Sequence, residues 1–151
     1  MTAYFNINIK LREIIMSNYG VMDASFQAAG KEEGIRKLVD QFYYQMETLK
    51  QGKHIREMHK DDLVTIKDKL SIFLIGWLGG PRNYAKKYGQ MSIPMVHKHL
   101  IIGEEERDAW LFCMNEALKH QDYDEDFKLY LIRELARPAE AIRRVSQMEH
   151  S

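Results

Sequence analysis

Four separate stretches of this chain repeat apolar residues at spacings of three and four. The first carries Ile35, Leu38, Val39, Phe42, Met46 and Leu49. The second carries Ile66, Leu70, Phe73 and Trp77. The third carries Trp110, Met114, Ala117 and Leu118, and the fourth Phe127, Leu131, Leu135 and Ile142. A helix turns every 3.6 residues, so each set makes one apolar stripe on an otherwise polar surface. Four such stripes must bury one another, and the expected fold is all-α. Only Phe5, Ile7, Ile9 and Leu11 alternate at period two, as a short strand would, or they lead into a helix through Ile14 and Ile15.

Breaks are expected at Gly30, Gly52, the Gly79-Gly80-Pro81 run, Gly89 and Pro94. Gly-Gly-Pro is a strong helix stop, because glycine permits positive φ and proline cannot continue the hydrogen-bond ladder. Gly103 precedes Glu104, Glu105 and Glu106, acidic residues that suit the positive end of a helix dipole. Pro138 falls inside the last apolar pattern and is expected to kink or divide that helix. Between Pro81 and Gly103 the helical period weakens, yet the stretch holds two histidines and several apolar residues. Long irregular segments in compact domains usually serve function, and this one suits one wall of a cofactor site.

The 151 residues fit one domain, and Lys+Arg and Asp+Glu both number 22. That balance gives no basic excess to recruit nucleic acid. No stretch approaches the roughly 20 apolar residues that span a bilayer. Lys10, Arg12 and Glu13 interrupt any leader-like run, and Cys113 is the single cysteine. No membrane association, no internal disulfide and a cytoplasmic location are the expectations.

The candidate chemistry lies in two segments. GWLGGPRNYAKKYGQMSIPMVHKHLIIGEEERDAWLFCMNEAL joins a Gly-Gly-Pro stop, a histidine six residues before a glycine, and ERDAW followed by LxCM. SFQAAGKEEGIRKLVDQFYYQM precedes it. Together, from Tyr19 to Val145, they resemble the group II truncated haemoglobins. That resemblance implies a two-over-two helical sandwich around one haem b. Residues 1–18 would then be an N-terminal extension and 19–151 a single globin domain.

The resemblance makes His97 the proximal iron ligand, at the family's spacing from Ile102-Gly103. A neutral imidazole suits haem iron, provided its other nitrogen has a partner that fixes the ring. His99 is the competing choice. Two residues apart on a helix, the two rings point to nearly opposite sides, so both cannot serve one iron. On the distal side the resemblance assigns Tyr43, Trp110 and His59 as polar groups facing the ligand. Ile66 and Leu70 match haem-facing positions of the distal helix. Ile66 stands where other globins often carry histidine, so that helix offers no imidazole gate. Lys69 is placed to reach a propionate, and Phe73 and Leu100 to line the macrocycle.

Two departures accompany the match. The family's paired glycines read Gly30-Lys31 here, and Val96 stands where an arginine often precedes the proximal histidine. The second departure would pass a propionate contact to Lys98 or Arg82.

Each residue also has a plainer reading. HKH is a possible fragment of a zinc site, although neither paired cysteines nor HExxH supplies the other ligands. Paired Glu-x-x-His motifs of a di-metal carboxylate bundle are missing too. Tyr43 and Trp110 serve equally as packing anchors, with Tyr44 as the neighbour that should face outward. Lys69 reads as a solvated charge and Cys113 as a small buried hydrophobe.

The function implied by the resemblance is binding of oxygen, nitric oxide and carbon monoxide. Several donors around the sixth position would slow release of bound gas, which suits redox work better than delivery. Nitric oxide dioxygenation and peroxide reduction both remain open. Either needs an unidentified reductant, a second protein or a small molecule. The alternative is a globin-fold sensor or interaction module without turnover. A monomer and a homodimer are equally compatible with the sequence.

Overall fold

The computed structural model describes residues 18–90 and 92–151, and all regular structure among them is helical. The helices are α1 (Ala24–Ala28), α2 (Lys31–Thr48), α3 (Lys53–Glu57), α4 (Leu63–Trp77), α5 (Tyr84–Tyr88), α6 (Ile93–Val96), α7 (Glu104–Leu118) and α8 (Glu125–Glu149). A single 3₁₀ turn, Lys50–Gly52, joins α2 to α3. The N-terminal period-two pattern at Phe5–Leu11 lies outside the described residues.

The four long helices are those carrying the four apolar stripes. Helix α2 packs on both α4 and α7, and α7 packs on α8. The result is one helix pair, α2 with α4, laid over a second pair, α7 with α8. Arg107 of α7 pairs with Glu140 of α8 at 2.6 Å, while the two helices are joined near Leu118 and Glu125, so they run antiparallel. Ile35, Leu38, Val39, Phe42 and Met46 of α2 are fully buried at the centre, against Cys113, Met114, Ala117 and Leu118 of α7. Burying a side chain the size of Phe42 or Leu38 contributes about 1.5–3 kcal/mol.

The sequence breaks fall where chain geometry requires them. Gly79 takes φ +100°, and a Cβ there would come within 2.1 Å of the Met22 carbonyl oxygen. Glycine thus ends α4 and lets the chain before α1 pass close. The Phe26 amide donates to the Leu78 carbonyl at 3.0 Å, which ties α1 to this turn. At the start of α2, Gly30 has φ +82° and Lys31 follows at φ +59°. Lysine therefore holds a left-handed conformation that normally selects glycine. Asp62 caps α4 by accepting the Thr65 amide at 2.9 Å.

Two expectations are corrected. Pro138 does not divide the last helix: α8 is continuous from Glu125 to Glu149. The proline removes one donor, but Leu135 and Ala139 on either side of it remain buried, and packing holds the turn. Pro94 does not break the chain either, because it lies in the first turn of α6. Proline is tolerated there, since a first-turn amide has no partner within the helix.

Candidate functional site

Helix α6 and the turn after it present His97. The backbone leaves helical geometry at residue 97, and the Leu100 amide closes a turn on the His97 carbonyl at 2.9 Å. The imidazole folds back on its own helix: Nδ1 lies 2.7 Å from the Ile93 carbonyl. A carbonyl only accepts, so Nδ1 carries the proton and Nε2 carries the free lone pair. Burial lowers the His97 pKa, which keeps the ring neutral, and the neighbouring His99 adds to that effect. His99 is exposed. Of the two histidines, only His97 is partly buried and held by a hydrogen bond that leaves one nitrogen with a free lone pair.

This turn is tied to α8. Ser146, 2% exposed, accepts the Ile102 amide at 2.8 Å and donates to the Leu100 carbonyl at 2.7 Å. His150 Nε2 lies 3.0 Å from the Lys98 carbonyl. Sequence reasoning missed Ser146, although a signal was present. It continues the apolar stripe of α8 by four residues beyond Ile142, and a lone hydroxyl on such a stripe must have a polar partner.

A second group of candidates lies on α2, α7 and the loop before α4. Tyr43 is 4% exposed, whereas Tyr44 is 59% exposed, as neighbours about a hundred degrees apart on a helix should be. The Tyr43 ring meets His59 edge-on, with centroids 5.9 Å apart at 85°. Phe42 packs edge-on against both Tyr43, at 5.1 Å, and Trp110, at 5.0 Å. Phe42 is thus the wedge that sets the spacing of the two polar aromatics. His59 sits in the loop after α3, and its Nδ1 is 2.8 Å from the Ile55 carbonyl. Burial lowers its pKa too, and nearby Arg56 and His97 act in the same direction. Burial raises the Tyr43 pKa, so its phenol stays a neutral donor.

Among the described residues, the Tyr43 hydroxyl, the Trp110 indole N–H and the Nε2 atoms of His59 and His97 make no hydrogen bond. No unpaired side-chain nitrogen or oxygen there is sealed from solvent. These atoms therefore open into accessible space. A cleft of about 390 Å³ bounded by Ser25, Trp77, Arg82 and Tyr130 contains none of them.

The apolar candidates divide by helix face. Ile66 is buried in the core, while Leu70 and Phe73 are partly buried against it. Phe73 stacks on Trp77 at 6.4 Å. Leu100 is partly buried in the His97 turn. Lys69 bonds Asp61 at 3.1 Å and stands 5.4 Å from the Tyr88 ring centroid, while Arg82 and Lys98 are exposed. Asp68, one residue before Lys69, accepts from Arg36 at 3.1 Å, from Lys87 at 2.7 Å and from the Tyr88 hydroxyl. It fastens α5 and α2 to α4. These donors hold its carboxyl down to about 2.

Among the described residues, no three His, Cys, Asp or Glu side chains gather to hold a bare metal ion. The donor set suits a metal that brings its own equatorial ligands. It offers imidazole nitrogens without a hydrogen bond at His97 and His59, the polar aromatics Tyr43 and Trp110, and the partly buried apolar residues Leu70, Phe73 and Leu100. A family model described as bacterial-like globin matches residues 24–143.

The chain belongs to the bacterial-like globin family.

Within that family this globin is similar to a group 2 truncated hemoglobin of Bacillus subtilis (strain 168). The two are 31% identical over 113 residues, which is 75% of this chain and 83% of that one. A cold-adapted truncated hemoglobin from the Antarctic marine bacterium Pseudoalteromonas haloplanktis TAC125 superposes with a TM-score of 0.74. It is 28% identical and covers 78% of this chain and 95% of its own. A truncated oxygen-avid haemoglobin from Bacillus subtilis superposes with a TM-score of 0.71 at 28% identity, covering 78% and 97%. The fold of this globin is the two-over-two sandwich of the group II truncated haemoglobins. No helix among its described residues is long and apolar enough to cross a membrane.

Proposed function

We propose that this globin binds haem b through His97 Nε2 and holds a diatomic gas beside Tyr43, Trp110 and His59. The observation that carries the reading is the His97 imidazole, locked by Ile93 with its second nitrogen free. A bound haem would supply an iron able to take oxygen, nitric oxide or carbon monoxide.

The chain supplies the rest. Ile93 fixes the tautomer and orientation of His97, and Ser146 holds the backbone that carries it. Leu70, Phe73 and Leu100 exclude water from the ring. Tyr43 and Trp110 each offer one hydrogen-bond donor, spaced by Phe42 and without a partner among the described residues. Such donors need no reorganisation when a partly anionic gas arrives, so they favour retention over release. The likeness to a haemoglobin called oxygen-avid supports the same reading. Retention suits nitric oxide or peroxide chemistry, with electrons from a separate reductant. Lys69 must exchange Asp61 for a propionate to take part in anchoring.

The test is titration of the purified chain with haemin, followed by its visible spectrum. An intense Soret band is expected, lost in His97→Ala and retained in His99→Ala. The reverse pattern, or no band in the wild-type chain, overturns the reading.

A further inference from the structure

The cleft of about 390 Å³ bordered by Ser25, Trp77, Arg82, Tyr130 and Glu134 shares no residue with the proposed haem site. Its volume falls at the lower end of the range of about 300–1,000 Å³ usual for small-molecule sites. The walls are fixed by contacts between distant parts of the chain. The Ser25 hydroxyl accepts the Gly20 amide at 2.9 Å and donates to the Tyr130 hydroxyl at 3.4 Å, which ties the chain around α1 to α8. Trp77 stacks on Phe73 with centroids 6.4 Å apart, and this sets the plane of its ring. Arg82 lies over Gly76, so close that a Cβ there would meet its Cγ at 3.4 Å.

The two charges of the cleft do not neutralise each other. Arg82 and Glu134 border the same space, yet Glu134 pairs with Arg137 instead, at 3.5 Å. Arg137 is exposed, so that pair is weak and readily exchanged. Arg82 has no anionic partner among the described residues. A second cleft, of about 380 Å³, differs in this respect. Its Lys119 and Lys128 are engaged by Glu116 at 2.7 Å and by Glu125 at 3.1 Å.

Three donors border the first cleft without an acceptor among the described residues: the Arg82 guanidinium, the Tyr130 hydroxyl proton and the Trp77 indole N–H. A guanidinium matches both oxygens of a carboxylate. Glu134 offers the complementary charge for an ammonium, and the Trp77 and Tyr130 rings offer faces for an apolar body. One molecule that satisfies all of these carries a carboxylate, an ammonium and an apolar group.

We propose that this cleft binds a free amino acid with an apolar side chain. Its carboxylate lies on Arg82 and the Tyr130 hydroxyl, its ammonium on Glu134 and its side chain against Trp77. Arg82 then belongs to this site and takes no haem propionate.

The full-length chain is titrated by calorimetry with three probes of one skeleton. They are L-phenylalanine, phenylpropionate, which lacks the ammonium, and phenethylamine, which lacks the carboxylate. L-phenylalanine should bind most tightly, with each of the others weaker by about tenfold. Arg82→Gln should weaken L-phenylalanine and phenylpropionate by about tenfold and leave phenethylamine as it was. Glu134→Gln should weaken L-phenylalanine and phenethylamine and leave phenylpropionate as it was. No heat of binding with L-phenylalanine at millimolar concentration overturns the proposal. So does binding that both variants retain in full, or L-phenylalanine binding no tighter than phenylpropionate. If Arg82→Gln does not fold, Arg82→Lys keeps the charge, loses the two-oxygen match and should still weaken the two carboxylates. None of these outcomes depends on haem, whose uptake tests the His97 reading separately.

Discussion

The Ser146 hydroxyl donates to the Leu100 carbonyl at 2.7 Å, across 46 residues of chain. Through the same oxygen it accepts the Ile102 amide, so one buried side chain satisfies two backbone groups of the His97 turn. The orientation of the proposed iron ligand thus depends on α8, although α8 contributes no atom to the iron.

Ser146→Ala leaves a carbonyl and an amide without their partner in a buried position. A loss of about 1–3 kcal/mol is expected, read as a lower urea midpoint with an unchanged slope. Ser146→Thr keeps the hydroxyl and should recover part of it. Faster transfer of haem to an acceptor globin should accompany the loss in Ser146→Ala. An unchanged midpoint would mean water replaces the hydroxyl.

Tyr43 and Trp110 both pack edge-on against Phe42, and neither donor has a hydrogen-bond partner among the described residues. Removing one hydrogen bond of about 1–1.5 kcal/mol from a bound gas speeds its release about tenfold. Tyr43→Phe and Trp110→Phe should each show this in stopped-flow oxygen dissociation. Tyr43→Phe should leave the haem-free chain about as stable, because the hydroxyl it removes reaches accessible space and holds no partner among the described residues. Unchanged off-rates in both variants would refute the donor role.

Lys31 adopts φ +59°, a left-handed conformation that favours glycine. The left-handed region costs a residue with a Cβ about 1–2 kcal/mol. Lys31→Gly relieves that cost and adds about 0.5–1 kcal/mol of unfolded-chain entropy. A net gain of up to about 1 kcal/mol is expected by thermal or urea unfolding. Lys31→Ala keeps the Cβ and should gain nothing.

Acid should unfold this protein partly through two carboxyls. Arg143 and Arg107 hold Glu140 at about 2, against an ordinary value of 4.5, and Lys87, Tyr88 and Arg36 hold Asp68 at about 2, against 3.8. Both are lowered in the folded state, so their stabilisation is fully present above the ordinary values. It is lost as the pH falls from there towards about 2. Asp68→Asn should therefore be less stable than wild type near neutrality, with the difference vanishing at about pH 2. A difference that is constant with pH would point to packing instead of charge. Both carboxyls are near the surface, so added salt should shrink the effect.

Much of this architecture was legible as periodicity. The four stripes beginning at Ile35, Ile66, Trp110 and Phe127 became the four long helices, because a helix with one apolar face has few places to put it. Gly79 and Gly103 marked real ends for local reasons, positive φ in one case and an acidic first turn in the other. Pro138 misled, since a local rule expected a break that burial of Leu135 and Ala139 overrode.

The chemistry was legible only as a set of residue types. Tyr43, His59, His97 and Trp110 could be named only through the resemblance to a family, which also favoured His97 over His99. Three-dimensional packing alone decided that Phe42 sets Tyr43 and Trp110 apart and that Ser146 steadies the His97 turn, whereas the carbonyl four residues earlier decides locally which nitrogen each imidazole leaves free. Packing also engaged Lys69 with Asp61. Periodicity acts over a few residues and survives in one dimension. Orientation and pairing depend on groups as far apart in sequence as Leu100 and Ser146 or Phe42 and Trp110, and those meet only when the helices close on one another.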